Sequence, residues 1–336
     1  MERKLASIRK IKEILPIPDA DMIVKAVIDG WQCVCKKGEF APGDSCVYFE
    51  IDSFLPLRPE LEFLRKSSYR KMGDQEGLRL KTIKLRKTLS QGLALPVQTF
   101  PELAGLSLKE GDDVTELLGV IKFEPPIPAE LAGIAKGLIP SFIRKTDQER
   151  IQNIWEDIKD CTDTFEVTLK LDGASCTYYM NDNNFGVCSR NLELVESESN
   201  TLWKIARKID IEGTLRSTKR NLAFQGEMIG EGIQKNPEKI KGQEFYLFDI
   251  WDIDAQKYLH PAERTALLET FSGKIKHVPF LGVFSFKEYP SLESLLQLAE
   301  GPSLNPKTER EGIVFRSNQA GLRFKVISNK YLLHEE

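Results

Sequence analysis

A lysine heads the string Lys170-Leu-Asp-Gly173, directly after the apolar run Phe165-Glu-Val-Thr-Leu169, where a turn should begin. Glu227 follows the run Leu222-Ala-Phe-Gln-Gly226, and Glu311-Gly312 precedes Ile313-Val-Phe315. Lys325 and Lys330 flank a short strand candidate after Arg323. Charges at the ends of apolar runs are positions that a layered sheet can point into one cleft. An amine and several carboxylates in one cleft have a defined chemistry. A neutral lysine amine is a nucleophile, and carboxylates such as Asp172, Glu227 and Glu311 suit a hydrated divalent cation. An ordinary lysine has a pKa of about 10.4, so freeing its amine near pH 7 costs about 4–5 kcal/mol, which a nearby cation reduces. Taken singly, Lys170-Leu-Asp-Gly173 reads as a surface turn, and Glu227 and Glu311 as ordinary strand-end charges.

The order of the strings goes further. Lys170–Gly173, Ser189–Asn191, Gln225–Glu227, Phe248–Ile250, Glu311–Phe315 and Phe324–Val326 resemble, in sequence order, the motif set of covalent nucleotidyltransferases. That superfamily holds DNA ligases, RNA ligases and mRNA-capping enzymes. The resemblance covers residues 146–330. It implies that Lys170 attacks the α-phosphate of a nucleotide, expels pyrophosphate and becomes adenylated. It implies Asp172 and Glu227 near the ribose hydroxyls and a hydrated metal, with Glu311 holding metal-bound water. Phe248 is then expected to stack on the purine, Arg190 to contact ribose or phosphate with Asn191 beside it, and Lys325 to stabilise charge on the α-phosphate. Many relatives carry Lys-x-Lys in the last motif. Here Ile327 takes the second place, and Lys330 or Arg323 is the candidate for the second cation.

Within the superfamily, capping enzymes and DNA ligases usually carry an OB domain after the last motif and an arginine at the position of Ser175. Only eleven residues follow Lys325, so the extra domain is expected before the nucleotidyltransferase module. Gly30-Trp31-Gln-Cys-Val, Lys37-Gly-Glu-Phe40, Val47-Tyr-Phe-Glu-Ile-Asp52, Leu89-Ser-Gln-Gly-Leu93 and Lys145-Thr-Asp-Gln-Glu-Arg-Ile-Gln-Asn153 are similar to the ATP-dependent RNA ligases with an amino-terminal OB-like module. That resemblance implies ATP as cosubstrate, Mg²⁺ or Mn²⁺, and RNA as partner. It implies sealing of 3′-OH and 5′-phosphate ends at a duplex nick, with RNA preferred on the 3′-OH side, and Gln152 at the adenine edge. The rivals are a GTP-using capping transferase, a DNA ligase, and a nucleic-acid-binding protein with a decayed site.

The elements that must position these residues read as an α+β chain. Residues 1–118 are expected to form a small β-barrel of the OB type, from runs such as Trp31–Cys35, Ser45–Ile51 and Leu78–Arg86. Residues 119–145 are expected to be a linker and helical connection, beginning at the Pro-rich stretch 123–128 and with helical pattern over 129–160. Thr146 and Glu149 have the spacing of a capping box. Residues 146–336 are expected to form an ATP-grasp-like adenylyltransferase domain of antiparallel sheets and helices, with helices at Pro261–Leu268 and Ser291–Leu296. Arg79, Lys81, Lys84, Arg86 and Lys87 form an acid-free basic run, with Arg79 and Lys81 on one strand face and Lys84 and Arg86 on the other. Such a run suits phosphate contacts, or is simply a charged edge strand.

The 336 residues are 41% hydrophobic and 29% charged, ordinary for a globular protein with two cores. A net charge of -3 gives no global attraction to nucleic acid, so local basic patches must supply it. Six cysteines without a CxxC pair, and three histidines, speak against a zinc site and for reduced thiols. Neither a leader nor an 18-residue apolar span is present, so a soluble, intracellular monomer is expected.

Overall fold

The computed structural model describes residues 3–124, 133–319 and 321–334. The chain divides into two compact units, Met1–Ile127 with Leu333–Glu336, and Pro128–Leu332.

The first unit is built from short antiparallel strands. Ser45–Phe49 lies between Ala6–Lys10 and Leu93–Pro96, and Ile23–Ile28 lies between Glu13–Pro16 and Trp31–Lys36. Alternation explains the burial. In Trp31–Lys36 the residues Trp31, Cys33 and Cys35 are buried while Gln32 and Val34 are half-exposed. One core gathers Ile8, Val47, Phe49, Leu78, Leu95 and Phe100, and a second gathers Ile11, Ala26, Trp31, Cys33, Cys46 and Tyr48. All six cysteines are free thiols. The run Leu78–Arg86 is not one strand. It splits into Gln75–Arg79, paired with Ser53–Pro56 and Tyr69–Met72, and Thr82–Leu85, paired with Thr88–Gln91. Arg86 and Lys87 turn this second hairpin in the left-handed region, at φ 47° and 63°. The basic residues therefore do not share the two faces of one strand.

The stretch 119–145 also departs from expectation. Ile121–Lys122 pairs with Ser53–Pro56 and belongs to the first unit. Residues 125–132 lie outside the described residues, so most of the Pro-rich stretch cannot serve as a landmark. Ala135–Leu138 is a strand paired with Leu192–Leu194 rather than a helix. The helix is confined to Ile151–Ile158, capped at Arg150 without a side-chain bond. Thr146 instead bonds Ser175 through its hydroxyl, and Glu149 accepts from Asn153, so no capping box forms.

The second unit consists of two largely antiparallel sheets, each with one short parallel pair, and six helices among the described residues. The larger sheet runs Ala135–Leu138, Leu192–Leu194, Asn184–Cys188, Ala174–Asn181, Leu222–Gly230, Gln243–Asp252, Lys257–Tyr258, with Lys276–His277 also on Gln243–Asp252. The smaller runs Glu149–Arg150, Arg323–Ile327, Gly312–Ser317, Thr164–Lys170, Phe280–Ser285. Strand periodicity decides what each face does. Phe165, Val167, Phe324 and Val326 enter a core with Ile151, Leu292 and Leu295 from two helices. The alternate residues Glu166, Thr168 and Lys170, and Arg323 and Lys325, take the opposite face. On the larger sheet Leu222, Phe224 and Met228 pack with Trp203 and Leu215 of the helices Thr201–Lys208 and Ile211–Ser217. Ala223, Gln225 and Glu227 alternate with them. The helices Pro261–Glu269 and Leu292–Leu298 form where expected, the latter with a Ser291–Ser294 capping box. No described helix is long and apolar enough to cross a membrane.

Candidate active site

The polar faces of the two sheets meet along a buried charge network. Asp249 lies on Gln243–Asp252 and is 1% exposed. It accepts from Arg316 Nε at 3.1 and 3.0 Å, and Arg323 Nη1 stands 2.6 Å from it. Arg316 also donates to Thr168 Oγ1 at 2.7 Å. Arg264, from the helix Pro261–Glu269, donates to both oxygens of Glu166 at 2.6 Å. Buried charges of this kind persist only when paired, and here they fix the register of strand against strand across the two sheets.

Lys170 lies two residues beyond Thr168 on the same face. Its Nζ donates to Glu311 Oε2 at 2.5 Å. Burial pushes its pKa down, but Glu311, Glu227 and Asp172 outweigh that and hold the amine above its ordinary range, as an ammonium. The carboxylates feel the same crowding. Burial, with Glu311 and Asp172 close by, raises Glu227 to about 8 against the pull of Lys170 and Arg190. Burial also raises Asp172, while a hydrogen bond from Tyr331 Oη at 2.7 Å opposes the rise. Opposite them, burial and the charges of Lys170 and Arg150 lower Lys325 to about 8.

Two glycines of the motif strings are steric necessities. A Cβ at Gly173 would run into the Met228 carbonyl oxygen, and one at Gly312 into that of Val326. Close passage of neighbouring strands therefore demands glycine after Asp172 and after Glu311. Gln234 of the loop beyond Glu227 reaches back to the Gly173 carbonyl at 3.0 Å.

The structure thus brings Lys170, Asp172, Glu227, Glu311 and Lys325 together, with Arg190 close enough to act on Glu227. Arg190 is exposed and paired with Asp147 at 2.5 Å. Asn191 sits in the adjoining turn, its carbonyl accepting from Ile139 N. Phe248 is half-buried against Leu169, Leu171, Ile229 and Val278. Gln152 is buried, and its Oε1 has no hydrogen-bond partner among the described residues. Neither candidate for the second cation joins the cleft group. Lys330 turns to the surface and pairs with Glu300 at 2.7 Å, and Arg323 is taken by Asp249 and stacked on Tyr258 at 3.9 Å. Lys330 lies in the first turn of a new helix, Asn329–His334, instead of continuing the strand. In the first unit, Arg79 is held by Asp52 and stacks on Phe123, while Lys81, Lys84, Arg86 and Lys87 are exposed. Tyr331 and the network arginines Arg264 and Arg316 carried no motif signal and were not foreseen.

A cavity of about 290 Å³ adjoins the turn after Lys170, lined by Ala174, Ser175, Ser189, Leu192 and Ile233 among others, but not by Lys170 or Phe248. No three His, Cys, Asp or Glu side chains among the described residues converge closely enough to hold a metal ion directly. The donors near Lys170 are carboxylate oxygens. They fit a hard divalent ion that keeps most of its waters and shares them with phosphate.

A lysine beside carboxylates between two largely antiparallel sheets, in a chain whose other unit is built of short antiparallel strands, fits the ligase class of nucleotidyltransferases. Family models agree with both halves: one described as an OB-fold domain matches residues 5–97, and one described as RNA ligase matches residues 163–328. Solved structures of Naegleria gruberi RNA ligase are similar along the whole chain. A lysine-to-alanine variant with ATP and manganese is 48% identical, with TM-score 0.84 and 99% of each chain covered. A glutamate-to-alanine variant with AMP and manganese gives the same values, and the enzyme with pyrophosphate is 49% identical, with TM-score 0.82 and 98% of each chain covered. No curated protein sequence is significantly similar. The chain belongs to the RNA ligase family, with an amino-terminal OB-fold domain.

Proposed function

We propose that the chain is an ATP-dependent RNA ligase that seals 3′-OH and 5′-phosphate ends at nicks in duplexes, acting as a monomer through a lysyl-AMP on Lys170. The observation that carries this reading is the clasp of Lys170 by Glu311, with Glu227 and Asp172 beside it and Lys325 opposite. The similar Naegleria gruberi structures hold ATP, AMP or pyrophosphate, several of them with manganese, which supports ATP and a divalent ion as the reactants here.

In the first step Lys170 Nζ attacks the α-phosphorus, an N–P bond forms, the bond to the bridging oxygen breaks and pyrophosphate leaves. In the resting site Lys170 is an ammonium and cannot attack. A divalent ion, when bound, neutralises the carboxylates that hold this proton and so favours the free amine. Asp172, Glu227 and Glu311 would hold it through its waters. Lys325, close to Lys170, would steady the charge that develops on the α-phosphate. Phe248 offers a half-exposed ring face to the purine. Gln152 Oε1, buried and without a hydrogen-bond partner among the described residues, is an acceptor suited to the adenine amino group. Arg190 would exchange Asp147 for ribose or phosphate. AMP then passes to the RNA 5′-phosphate, and the 3′-hydroxyl attacks that phosphate and releases AMP.

Substitution Lys170→Ala should abolish label transfer from α-labelled ATP to protein. Sealing of a pre-adenylated nick should survive at least in part, because Lys170 has no covalent task in the last step. Persistent protein labelling would remove Lys170 from its role.

A further inference from the structure

The hydrogen bond between Tyr331 and Asp172 closes a ring of contacts around the nucleophile. Ser328 N donates to the Glu311 carbonyl at 2.9 Å. Ser328 Oγ accepts from Tyr331 N at 3.1 Å and donates to Glu309 Oε1 at 3.0 Å. Tyr331 Oη then donates to Asp172 Oδ2 at 2.7 Å, and Lys170 returns to Glu311. The helix Asn329–His334 is thereby tied at its start to the backbone of one motif and, through its phenol, to the carboxylate of another. Asp172 sits in a turn that Gly173 lets pass close to Met228, and a short side chain there has few anchors of its own. The Tyr331 phenol supplies one, at 2.7 Å. With one oxygen so held, the rotamer is set and the other oxygen is left for a water, a ribose hydroxyl or an ion.

We propose that Tyr331 is a positioning residue that acts through Asp172, holding its carboxylate in the orientation that receives the nucleotide and its hydrated cation. The proposal rests on the adenylylation reading above. It adds a residue from beyond the last motif, and it explains why the chain turns into a helix after Ser328 instead of extending the strand that carries Lys325. A phenol in this place gives direction without a second charge, which suits a site already crowded with three carboxylates.

The test is a double-mutant cycle of Tyr331→Phe and Asp172→Asn in a Lys170→Met background, where chemistry is off and ATP affinity with Mn²⁺ is measured by calorimetry. Losing one hydrogen bond to a charged group predicts weaker ATP binding by about tenfold for Tyr331→Phe. Asp172→Asn should weaken it at least as much, and the pair should be no weaker than Asp172→Asn alone. With Lys170 restored, Tyr331→Phe should raise KM for ATP in lysyl-AMP formation while kcat at saturation stays within about twofold. Melting temperatures of the same proteins separate a structural role, which would lower stability equally with Asp or Asn at position 172. The proposal is overturned if the two affinity losses multiply, or if Tyr331→Phe binds ATP like its parent. Asp172→Asn without any loss would remove the reading of Asp172 itself, and the role of Tyr331 with it.

Discussion

Lys325 and Lys330 carry the same side chain, and their surroundings give them opposite fates. Lys325 is half-buried beside Lys170 and Arg150; desolvation first, then those two charges, lower it to about 8, so the site holds it against charge repulsion. Such a cation is placed for anionic phosphate. Lys330 rests on Glu300 at the surface, where solvent screens the pair. Lys325→Ala should therefore cut the rate of lysyl-AMP formation by about a hundredfold or more, as loss of one preorganised electrostatic contact does. Lys330→Ala should leave that rate within about twofold; a large loss there would reinstate it as the second cation. Single-turnover labelling with ATP measures both. That Lys170, Asp172, Glu227, Glu311 and Lys325 lie together was legible in the sequence, because each is a charged residue at the end of an apolar run. Tyr331 was not. A tyrosine after the last motif reads as core, and only the turn of the chain at Ser328 aims its hydroxyl at Asp172.

At the scale of elements, the two sheets of the second unit are pinned by charge where most sheet pairs are pinned by apolar side chains. Asp249 answers Arg316, Arg323 and, at 3.5 Å, Arg264, so one carboxylate ties two strands and a helix to the strand that carries Phe248. Asp249→Asn keeps the shape but strands the arginines, and should cost about 3–5 kcal/mol. The arginines hold the Asp249 carboxyl well below the usual range, so its contribution is full above about pH 4 and lost as pH falls below that. His277 extends the window upward. Burial, then the charges of Arg264 and Arg316, lowers its ring from 6.5 to about 4, so the folded protein keeps it neutral while the unfolded chain takes up a proton. Stability should accordingly begin to fall near pH 6.5 and keep falling to about pH 4. Melting temperatures across that range test this, and His277→Gln should flatten the curve there; an unchanged slope would acquit the histidine. The strands themselves were legible from apolar alternation. The network was not, since Glu166, Arg264 and Arg316 are distant in sequence and look like surface charges. The helical pattern over 129–160 misled for a related reason: Ala135–Leu138 takes its structure from pairing with Leu192–Leu194, a contact that no local periodicity encodes.

Over the whole molecule, every residue proposed to handle the nucleotide lies in Pro128–Leu332, whereas the exposed basic residues Lys81, Lys84, Arg86 and Lys87 lie in the first unit. The sequence located both groups, though it placed the basic residues on a single strand and included Arg79, which Asp52 and Phe123 already occupy. The hairpin Thr82–Leu85 with Thr88–Gln91 instead gathers its cations around a left-handed turn, with Ile83 and Leu85 exposed beside them. Exposed charges so placed suit contact with a phosphate backbone, and none of them belongs to the unit that carries Lys170. Replacing Lys84, Arg86 and Lys87 together by alanine should therefore leave lysyl-AMP formation at its original rate. It should raise KM for a nicked RNA duplex about tenfold near physiological salt and flatten the dependence of log affinity on log salt by about two to three. Both halves matter, because fold damage would depress labelling along with sealing, and lost phosphate contacts depress sealing alone. Equal salt slopes for the variant and the parent would show that the hairpin does not touch the nucleic acid, and that its cations merely guard an open strand edge against aggregation.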